Sequence, residues 1–400
     1  MRRDHLPDNP GQGLRAQPSP LALLLLVATA LGSVLNAEAV ADGPADPAQT
    51  LVLIGDAGKP AHDGDPVLIA LRRDLASHPE RATVVFLGDN IYPAGLPAEG
   101  HHGRAEAERR LDDQVDAVRD TGARVIFVPG NHDWDNGGPD GWEAVKRQQE
   151  RIAQRGGPNV AHLPVGGCPG PEVVDVGERL RIVALDTQWW LQKGARPVDP
   201  ESSCAADSEA EVIAALRTAL RVDGREVVVV THHPPVSGGP HGGNFGLKQH
   251  LFPFTEKIRW LWLPLPVIGS AYPLIRQKGV VPQDISSAPY TRMRDAIAST
   301  LRERPPLVWA AGHEHVLQVI ENARYGRVLV SGTGVYNHKS RVANVDGSRY
   351  RSSRSGYMRI DLFADGRRRL GVIEVEHDGS EREAYSSDLD EPRFSPPARR

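Results

Sequence analysis

Seven short apolar runs, separated by polar turns, constrain the fold of this 400-residue chain more than any other feature of its sequence. Each run is rich in β-branched residues and lacks polar alternation, as expected for strands buried on both faces of a largely parallel sheet. The runs lie at 50–54, 83–87, 124–128, 181–185, 226–230, 306–311 and 327–331. Because amphipathic helical stretches lie between many of them, this order predicts one α/β domain.

Local sequence signals agree with that order. Asp65 precedes a proline, which is typical of a helix N-cap followed by the first helical residue. Residues 104–120 carry Ala, Glu, Arg and Val at helical spacing. Residues 357–375 instead alternate in polarity on both sides of Asp365-Gly366, which indicates a β-hairpin. We therefore expect a second, more antiparallel sheet near the C-terminus.

Polar residues follow five of the seven runs directly. The segments are Gly55-Asp56-Ala57-Gly58, Gly88-Asp89-Asn90 with Tyr92, Gly130-Asn131-His132-Asp133, Thr231-His232-His233 and Gly312-His313-Glu314-His315. Taken singly, each segment has a plain interpretation as a turn or a helix cap. Ligands of such sheets, however, bind outside the carboxyl ends of the strands. Five strand ends that supply carboxylates, an amide oxygen and imidazoles favour a site for ions such as Zn, Mn and Fe.

In order and spacing, the motifs DAG, GDNIY, GNHD, THH and GHEH resemble the five blocks of the calcineurin-like metallophosphoesterases. They look most like the purple acid phosphatase branch, particularly its small tartrate-resistant form. The resemblance extends from about residue 50 to about residue 340. It implies an α/β fold in which two mixed β-sheets, flanked by helices, form a four-layer αββα sandwich.

The resemblance also implies two metal ions. The first would be bound by Asp56, Asp89, Tyr92 and His315, and the second by Asn131, His232 and His313, with Asp89 bridging the two. The common branch of this superfamily carries a histidine two residues after the first aspartate, where this chain has Gly58. Tyr92 is placed to replace that histidine. This implies Fe³⁺ at the Tyr92 position and Fe²⁺, Zn²⁺ or Mn²⁺ at the second.

Other polar residues are expected near the metals but not bound to them. His132 would be a catalytic general acid or would stabilise the phosphate. His241 resembles, by its position, a second catalytic histidine on the substrate side, with a solvated loop histidine as the alternative. His233 is expected to orient backbone, and Asp133 and Glu314 to form hydrogen bonds that fix their neighbours.

The function implied by the resemblance is that of an exported binuclear-metal phosphoesterase that hydrolyses phosphate monoesters through a metal-bound hydroxide. The alternative enzyme is a phosphodiesterase that acts on nucleotides or lipid headgroups. A secreted metal-binding or adhesion protein with a vestigial site is a third hypothesis, but all seven ligand positions are filled. The formal charge of −4 is small for this length, so no nucleic acid is expected as a structural partner.

Residues 252–290 form an insert that the tartrate-resistant pattern lacks. Its apolar part, 252–279, contains Trp260, Trp262 and Tyr272 together with several prolines, which excludes one continuous helix. We expect a lid or insert packed on the domain, and contact with a membrane surface or a partner is the alternative. Because the insert lies between two metal-binding motifs, it would influence the choice of substrate.

The termini are expected to lie outside the phosphoesterase domain, which we place at 46–380. Residues 1–41 have a basic start, a short apolar core and an A-x-A pattern, which indicates a signal peptide or an uncleaved N-terminal anchor. Residues 381–400 are expected to be a disordered tail. A periplasmic or secreted location favours a disulfide between Cys168 and Cys204, with two free thiols as the alternative.

Overall fold

The structure is a computed structural model that describes residues 46–77, 79–200, 202–246, 250–252, 262–265 and 268–390. The chain divides into two units, Met1–Asp46 and Pro47–Arg400, and the elements described below all belong to the second unit. The predicted signal or anchor at 1–41 lies outside the described residues, as do parts of the insert and residues 391–400.

The described residues contain fourteen strands in two seven-stranded sheets. The strands are β1 Gln49–Ile54, β2 Ala82–Leu87, β3 Arg124–Val128, β4 Val160–His162, β5 Glu172–Val176, β6 Leu180–Ala184, β7 Glu226–Val230, β8 Val308–Ala311, β9 Leu317–Asn322, β10 Gly326–Ser331, β11 Ser348–Ser352, β12 Gly356–Leu362, β13 Arg368–Val375 and β14 Glu381–Asp388. The first sheet has the order β14-β13-β12-β1-β2-β3-β4 and the second β11-β9-β10-β8-β7-β6-β5. All seven apolar runs are therefore strands, as predicted.

Both sheets are mixed. In the first sheet β1 to β4 are parallel, and β12 to β14 add antiparallel strands beyond β1. In the second sheet β6, β7, β8 and β10 are parallel, with antiparallel strands at both edges. The prediction of two mixed sheets is confirmed. The expectation that the C-terminal hairpin belongs to a separate, more antiparallel sheet is wrong, because β12 pairs with the free edge of β1.

Most of the described helices pack on the outer faces of the two sheets, and the helix Ala271–Gln277 lies in the insert. They are α1 Pro66–Ala76, α2 Arg104–Val118, α3 Gly141–Gly156, α4 Gln188–Leu191, α5 Glu209–Ala219, α6 Ala271–Gln277 and α7 Ala288–Glu303. The Asp65 carboxylate accepts a hydrogen bond from the Val67 amide at 2.9 Å, so the predicted N-cap of α1 is confirmed. The predicted helix at 104–120 is α2.

Three apolar cores account for the four-layer arrangement, because each central strand is buried on both faces. In β1, Val52 packs with residues of α1, α2 and α3, whereas its neighbours Leu51 and Leu53 pack against the second sheet. On the far side of the second sheet, Val229 and Trp309 pack with α5 and α7. The unbroken apolar runs of the sequence follow from this double burial.

The predicted disordered tail is wrong for its first residues. Glu381–Asp388 form β14, which pairs antiparallel with β13, so the domain extends beyond the predicted end at 380. Sequence patterns miss β14 because it is an edge strand with mostly exposed, charged residues and no apolar run.

The predicted disulfide is present. Cys168 and Cys204 are bonded, with Cα atoms 5.6 Å apart and a sequence separation of 36 residues. The bond joins the segment before β5 to the segment before α5. Among the described helices, none is both long and apolar enough to span a membrane.

Candidate metal centre

The structure brings all seven predicted metal ligands together at the carboxyl ends of adjacent parallel strands. In the first sheet Asp56 follows β1, Asp89 and Tyr92 follow β2, and Asn131 follows β3. In the second sheet His232 follows β7, and His313 and His315 follow β8. The ligand side chains form two clusters that meet at Asp89.

The first cluster surrounds the phenol oxygen of Tyr92. This Oη atom lies 3.0 Å from Asp56 Oδ1, 3.1 Å from Asp89 Oδ2 and 3.0 Å from His315 Nε2. One phenol proton cannot satisfy both carboxylates, and Asp56 Oδ2 is buried without a hydrogen-bond partner. Burial, with Asp89 nearby, raises the pKa of Asp56 to about 7. Two buried carboxylates with too few donors fit a cation.

The second cluster is built from two imidazoles and one amide. His232 Nδ1 lies 2.8 Å from the Leu87 carbonyl, and His313 Nε2 lies 3.0 Å from the Gln283 carbonyl. Each of these nitrogens donates to its carbonyl, so in the neutral rings His232 Nε2 and His313 Nδ1 keep their lone pairs. Both face Asn131 Oδ1, at 3.1 and 3.0 Å. With both rings neutral, three acceptors face one another, and a cation bound between them would satisfy all three.

Asp89 belongs to both clusters. Its Oδ2 faces Tyr92, and its Oδ1 lies 3.4 Å from His232 Nε2. Burial favours a raised pKa for Asp89, but His232 and His132 lower it far below its usual value. For His232 burial favours a lowered pKa, but Asp89 raises it to about 9, so the carboxylates attract positive charge to this point. A carboxylate with one oxygen toward each cluster has the geometry of a bridging metal ligand.

The backbone at the ligands is itself unusual. Asp56, Asp89 and His313 have φ values of 57°, 55° and 69°, in the left-handed region that residues other than glycine rarely adopt. At position 130 a Cβ atom would lie 2.4 Å from Asp89 Oδ1, which explains why a glycine precedes Asn131. Strained backbone at three candidate ligands is characteristic of a functional site.

His132 lies beside the first cluster. Its backbone amide donates to Asp89 Oδ1 at 2.9 Å, and its Nδ1 lies 2.5 Å from the Pro93 carbonyl. The ring packs against Tyr92 with a centroid distance of 4.3 Å. With Nδ1 held by the carbonyl, Nε2 is the nitrogen available to a substrate, and it lies 3.9 Å from Asp89 Oδ2.

His241 lies beside the second cluster. Its ring packs on that of His313, with a centroid distance of 4.2 Å and an interplanar angle of 37°. Its Nδ1 lies 3.1 Å from Asp284 Oδ1. The structure therefore places His241 at the site, where the sequence left a solvated loop histidine as the alternative.

Asp133 and Glu314, which are expected to support the candidate ligands without binding metal, form hydrogen bonds of that kind. Asp133 accepts hydrogen bonds from the amides of Asn90, Ile91 and Gly130, which fixes the turns that carry Asp89 and Asn131. Glu314 Oε1 accepts from the Gly242 amide at 2.8 Å.

His233 has ligand atoms close to those of His232 and His313. Both of its nitrogens nevertheless have neutral partners, since Nδ1 lies 2.8 Å from Thr187 Oγ1 and Nε2 lies 2.7 Å from Gln283 Oε1. Its ring is therefore held by hydrogen bonds to neutral groups, as expected for a supporting residue.

Sequence reasoning missed three residues at the site. His338, in the loop after β10, packs on His315 at a centroid distance of 4.0 Å and on Tyr92 at 4.6 Å. Gln283 and Asp284, in the insert, contact His313 and His241. His338 lies in a loop well beyond the predicted strand at 327–331, and no motif marks it or the two insert residues.

Comparison with known proteins agrees with this geometry. A family model described as calcineurin-like phosphoesterase matches residues 50–317. No curated protein matches the chain at a significant level.

Two solved structures share the fold. One is described as GAP50, the anchor in the inner membrane complex of Plasmodium, with 15% identity, a TM-score of 0.50, and coverage of 86% of this chain and 90% of that one. The other is the purple acid phosphatase PPD1 from yellow lupin (Lupinus luteus) seeds, with 14% identity, a TM-score of 0.50, and coverage of 88% and 55%. This chain thus spans about half the length of the lupin protein. At such identities these likenesses concern the fold alone.

Proposed function

Since the chain belongs to the calcineurin-like phosphoesterase family, we propose that it hydrolyses phosphate monoesters at a two-metal centre. The observation that carries the proposal is the pair of acceptor clusters that share Asp89. When bound, two cations neutralise charge on the phosphoryl oxygens and activate water as the nucleophile.

The chain's own residues supply orientation and a proton. The carbonyls of Leu87 and Gln283 fix the tautomers of His232 and His313, so that each directs one lone pair inward. The Pro93 carbonyl accepts from His132 Nδ1, so Nε2 is the nitrogen left for the substrate, and in the imidazolium form it donates a proton to the leaving oxygen.

The ligand types support different metals at the two positions. The Tyr92 cluster supplies two carboxylates, a phenol and one imidazole, a set rich in hard oxygen donors that suits Fe³⁺. The Asn131 cluster supplies an amide oxygen and two imidazoles, which suit Fe²⁺, Zn²⁺ or Mn²⁺.

The test is a panel of phosphomonoesters and phosphodiesters assayed on purified protein with two bound metals. We expect phosphate release from monoesters, and its loss on chelation and in His232→Ala. A protein that holds two metals but releases no phosphate from any monoester contradicts the substrate proposal. Activity unchanged in His232→Ala would instead support a vestigial site, the non-enzymatic hypothesis.

Export is a further part of the proposal. The apolar segment at 21–35 after a basic start supports it, as does the Cys168–Cys204 disulfide, because disulfides persist in oxidising compartments. N-terminal sequencing of protein recovered outside the cytoplasm is the test. A cleaved terminus near residue 41 indicates a signal peptide, an intact terminus on membrane-bound protein indicates an anchor, and recovery from the cytoplasm alone contradicts export.

A second candidate function is a phosphodiesterase that acts on lipid headgroups at a membrane surface. Exposed apolar side chains in the insert favour it, with exposed fractions from 48% to 67%: Trp262, Leu263, Leu274, Ile275 and Val280. Faster turnover of sphingomyelin-type substrates in vesicles than of soluble monoesters would favour this candidate. It would also require that Leu274→Ser/Ile275→Ser slow the vesicle reaction selectively.

A further inference from the structure

The insert carries a buried carboxylate that the ligand set does not use. Asp284 is 1% exposed, and its two oxygens each lie 2.5 Å from the guanidinium of Arg276, through Nε and Nη2. A bidentate arginine neutralises the charge of a buried carboxylate but leaves acceptor capacity on its oxygens. That capacity is directed at His241, whose Nδ1 lies 3.1 Å from Asp284 Oδ1.

The backbone around His241 is anchored, but its side chain depends on the insert. Glycines flank the segment on both sides, at 238, 239, 242 and 243, so the segment has little intrinsic rigidity. Among its backbone contacts, two lie at His241 and its neighbour: the Gly242 amide donates to Glu314, and the Ile285 amide donates to the His241 carbonyl at 3.0 Å. Neither contact fixes the rotation of the imidazole.

The hydrogen bond to Asp284 determines which nitrogen of His241 faces the metal centre. Arg276 Nη2, which donates one proton to Asp284 Oδ1, also lies 3.1 Å from Nδ1 and has a second proton that can reach it. When Nδ1 carries a proton, it donates to Asp284, as in other carboxylate–histidine pairs. Nε2 is left for a phosphoryl oxygen, while the ring rests on the metal-ligand candidate His313.

We propose that Asp284 is a positioning residue that holds His241 toward the substrate phosphate, so that the insert completes the substrate side of the metal centre. This inference rests on the proposed phosphoesterase function. It gives the insert a role in binding phosphate itself, in addition to any role in selecting the rest of the substrate.

A double-mutant cycle tests the inference. The variants are His241→Ala, Asp284→Asn and the double variant, each reconstituted with two metals. We expect each single change to lower kcat/KM by about 10- to 100-fold, and the double variant to match His241→Ala, because Asp284 acts through His241. The matched control is Asp175→Asn, which breaks another bidentate pair, with Arg181, outside the site and should stay within about twofold.

Affinity for inorganic phosphate, measured by titration calorimetry on the same metal-loaded proteins, is the second readout. The dissociation constant should rise about tenfold in Asp284→Asn and in His241→Ala, with no further rise in the double variant. This readout needs no turnover, so failure of the proposed phosphatase activity is distinguishable from failure of the inference.

Two results would overturn the inference. One is that the effects of Asp284→Asn and His241→Ala on kcat/KM or on phosphate affinity multiply in the double variant. The other is that Asp284→Asn changes these quantities by less than about twofold. If Asp284→Asn does not fold or does not retain both metals, Asp284→Glu takes its place in the cycle. That variant keeps the charge and displaces the carboxylate, and the same two results decide.

Discussion

At the scale of single residues, the buried phenol of Tyr92 lies among the polar side chains of the first cluster. Its phenol oxygen contacts two carboxylates and an imidazole, and burial together with Asp56 and Asp89 raises its pKa well above the usual value. In the absence of a cation, the phenol therefore stays protonated. A trivalent ion reverses this preference, because it stabilises the phenolate directly.

Replacement of Tyr92 by phenylalanine should therefore remove colour without removing the fold. A tyrosinate bound to Fe³⁺ gives a visible charge-transfer band, and Phe lacks the oxygen that forms it. We expect the iron-loaded wild type to absorb in the visible range and Tyr92→Phe to lose this band with its melting temperature preserved. A colourless iron-loaded wild type contradicts the assignment of Tyr92 as a ligand.

A second residue, His162 in β4, should make the free energy of unfolding depend on pH. It is 3% exposed, both ring nitrogens lack hydrogen-bond partners, and burial lowers its pKa to about 4. In the unfolded chain the pKa of this histidine is about 6.5. Between about pH 4 and about pH 6.5 the unfolded chain therefore binds a proton that the folded protein excludes. Stability is therefore retained above about pH 6.5 and is lost progressively as the pH falls toward about 4.

On acidification from about pH 7 to about pH 5, the buried neutral His162 should lower the free energy of unfolding by roughly 2 kcal/mol. Urea unfolding of the wild type and of His162→Leu at both pH values measures the effect. The loss of stability on acidification should be smaller in the variant by that amount. Equal losses in both proteins would assign the acid sensitivity to other groups.

At the scale of residues, the sequence could place a side chain in the fold where it follows a strand directly. Asp56, Asp89 and His232 each stand two residues beyond an apolar run, so the sheet itself determines their position. Asp284 and His338 could not be assigned in this way. Their contacts with the site arise from loops whose paths depend on tertiary packing, which local patterns do not encode.

At the scale of elements, the N-cap of α1 also holds a distant loop. The Asp65 carboxylate accepts from the Val67 amide of the helix and, at 3.1 Å, from the Tyr336 amide. The segment after Tyr336 includes His338, which packs on His315 and Tyr92. One side chain thus links the start of a helix to the loop beside the first metal cluster.

Replacement of Asp65 by alanine should destabilise the protein more than loss of an ordinary cap. It removes the cap and leaves a second, partly buried amide without its acceptor, so we expect a cost of about 2–3 kcal/mol. The matched control is Ser208→Ala at the exposed capping box of α5, for which about 1 kcal/mol is expected. Chemical denaturation measures both, and equal costs for the two variants would contradict the linking role of Asp65.

Strands that are buried on both faces were the easiest elements to predict from the sequence. The seven strand runs are apolar because each lies between two cores, and the sequence records that directly. The edge strands β5, β11 and β14 have burial patterns that are exposed on at least one face, and they gave no apolar run. The placement of β12 beside β1 depends on pairing across about 300 residues, which no local pattern specifies.

At the scale of the whole molecule, the metal centre joins the two sheets. Asp56, Asp89 and Asn131 come from the first sheet, and His232 and His313 come from the second. The apolar core between the sheets holds the two sets of ligands in register. The resemblance of the five motifs implied this arrangement, whereas the order of apolar runs and helical stretches predicted an α/β domain.

The disulfide should contribute to the stability of the whole domain. It closes a loop of 36 residues, for which the chain-entropy model predicts about 3–4 kcal/mol. We expect Cys168→Ser/Cys204→Ser to lower the free energy of unfolding by that amount, which is measured as a lower denaturation midpoint. Metal content should be retained, because neither cysteine contacts the ligands. An unchanged midpoint would mean that the bond does not constrain the unfolded chain.

The most direct test of the two-metal phosphoesterase is the rate of phosphate release from a monoester, measured as metal is added to metal-free protein. Two clusters that share Asp89 predict a rate that rises until about two equivalents are bound and then stays constant. A rate that saturates at one equivalent contradicts the shared centre. No release of phosphate at any metal content contradicts the proposed function itself.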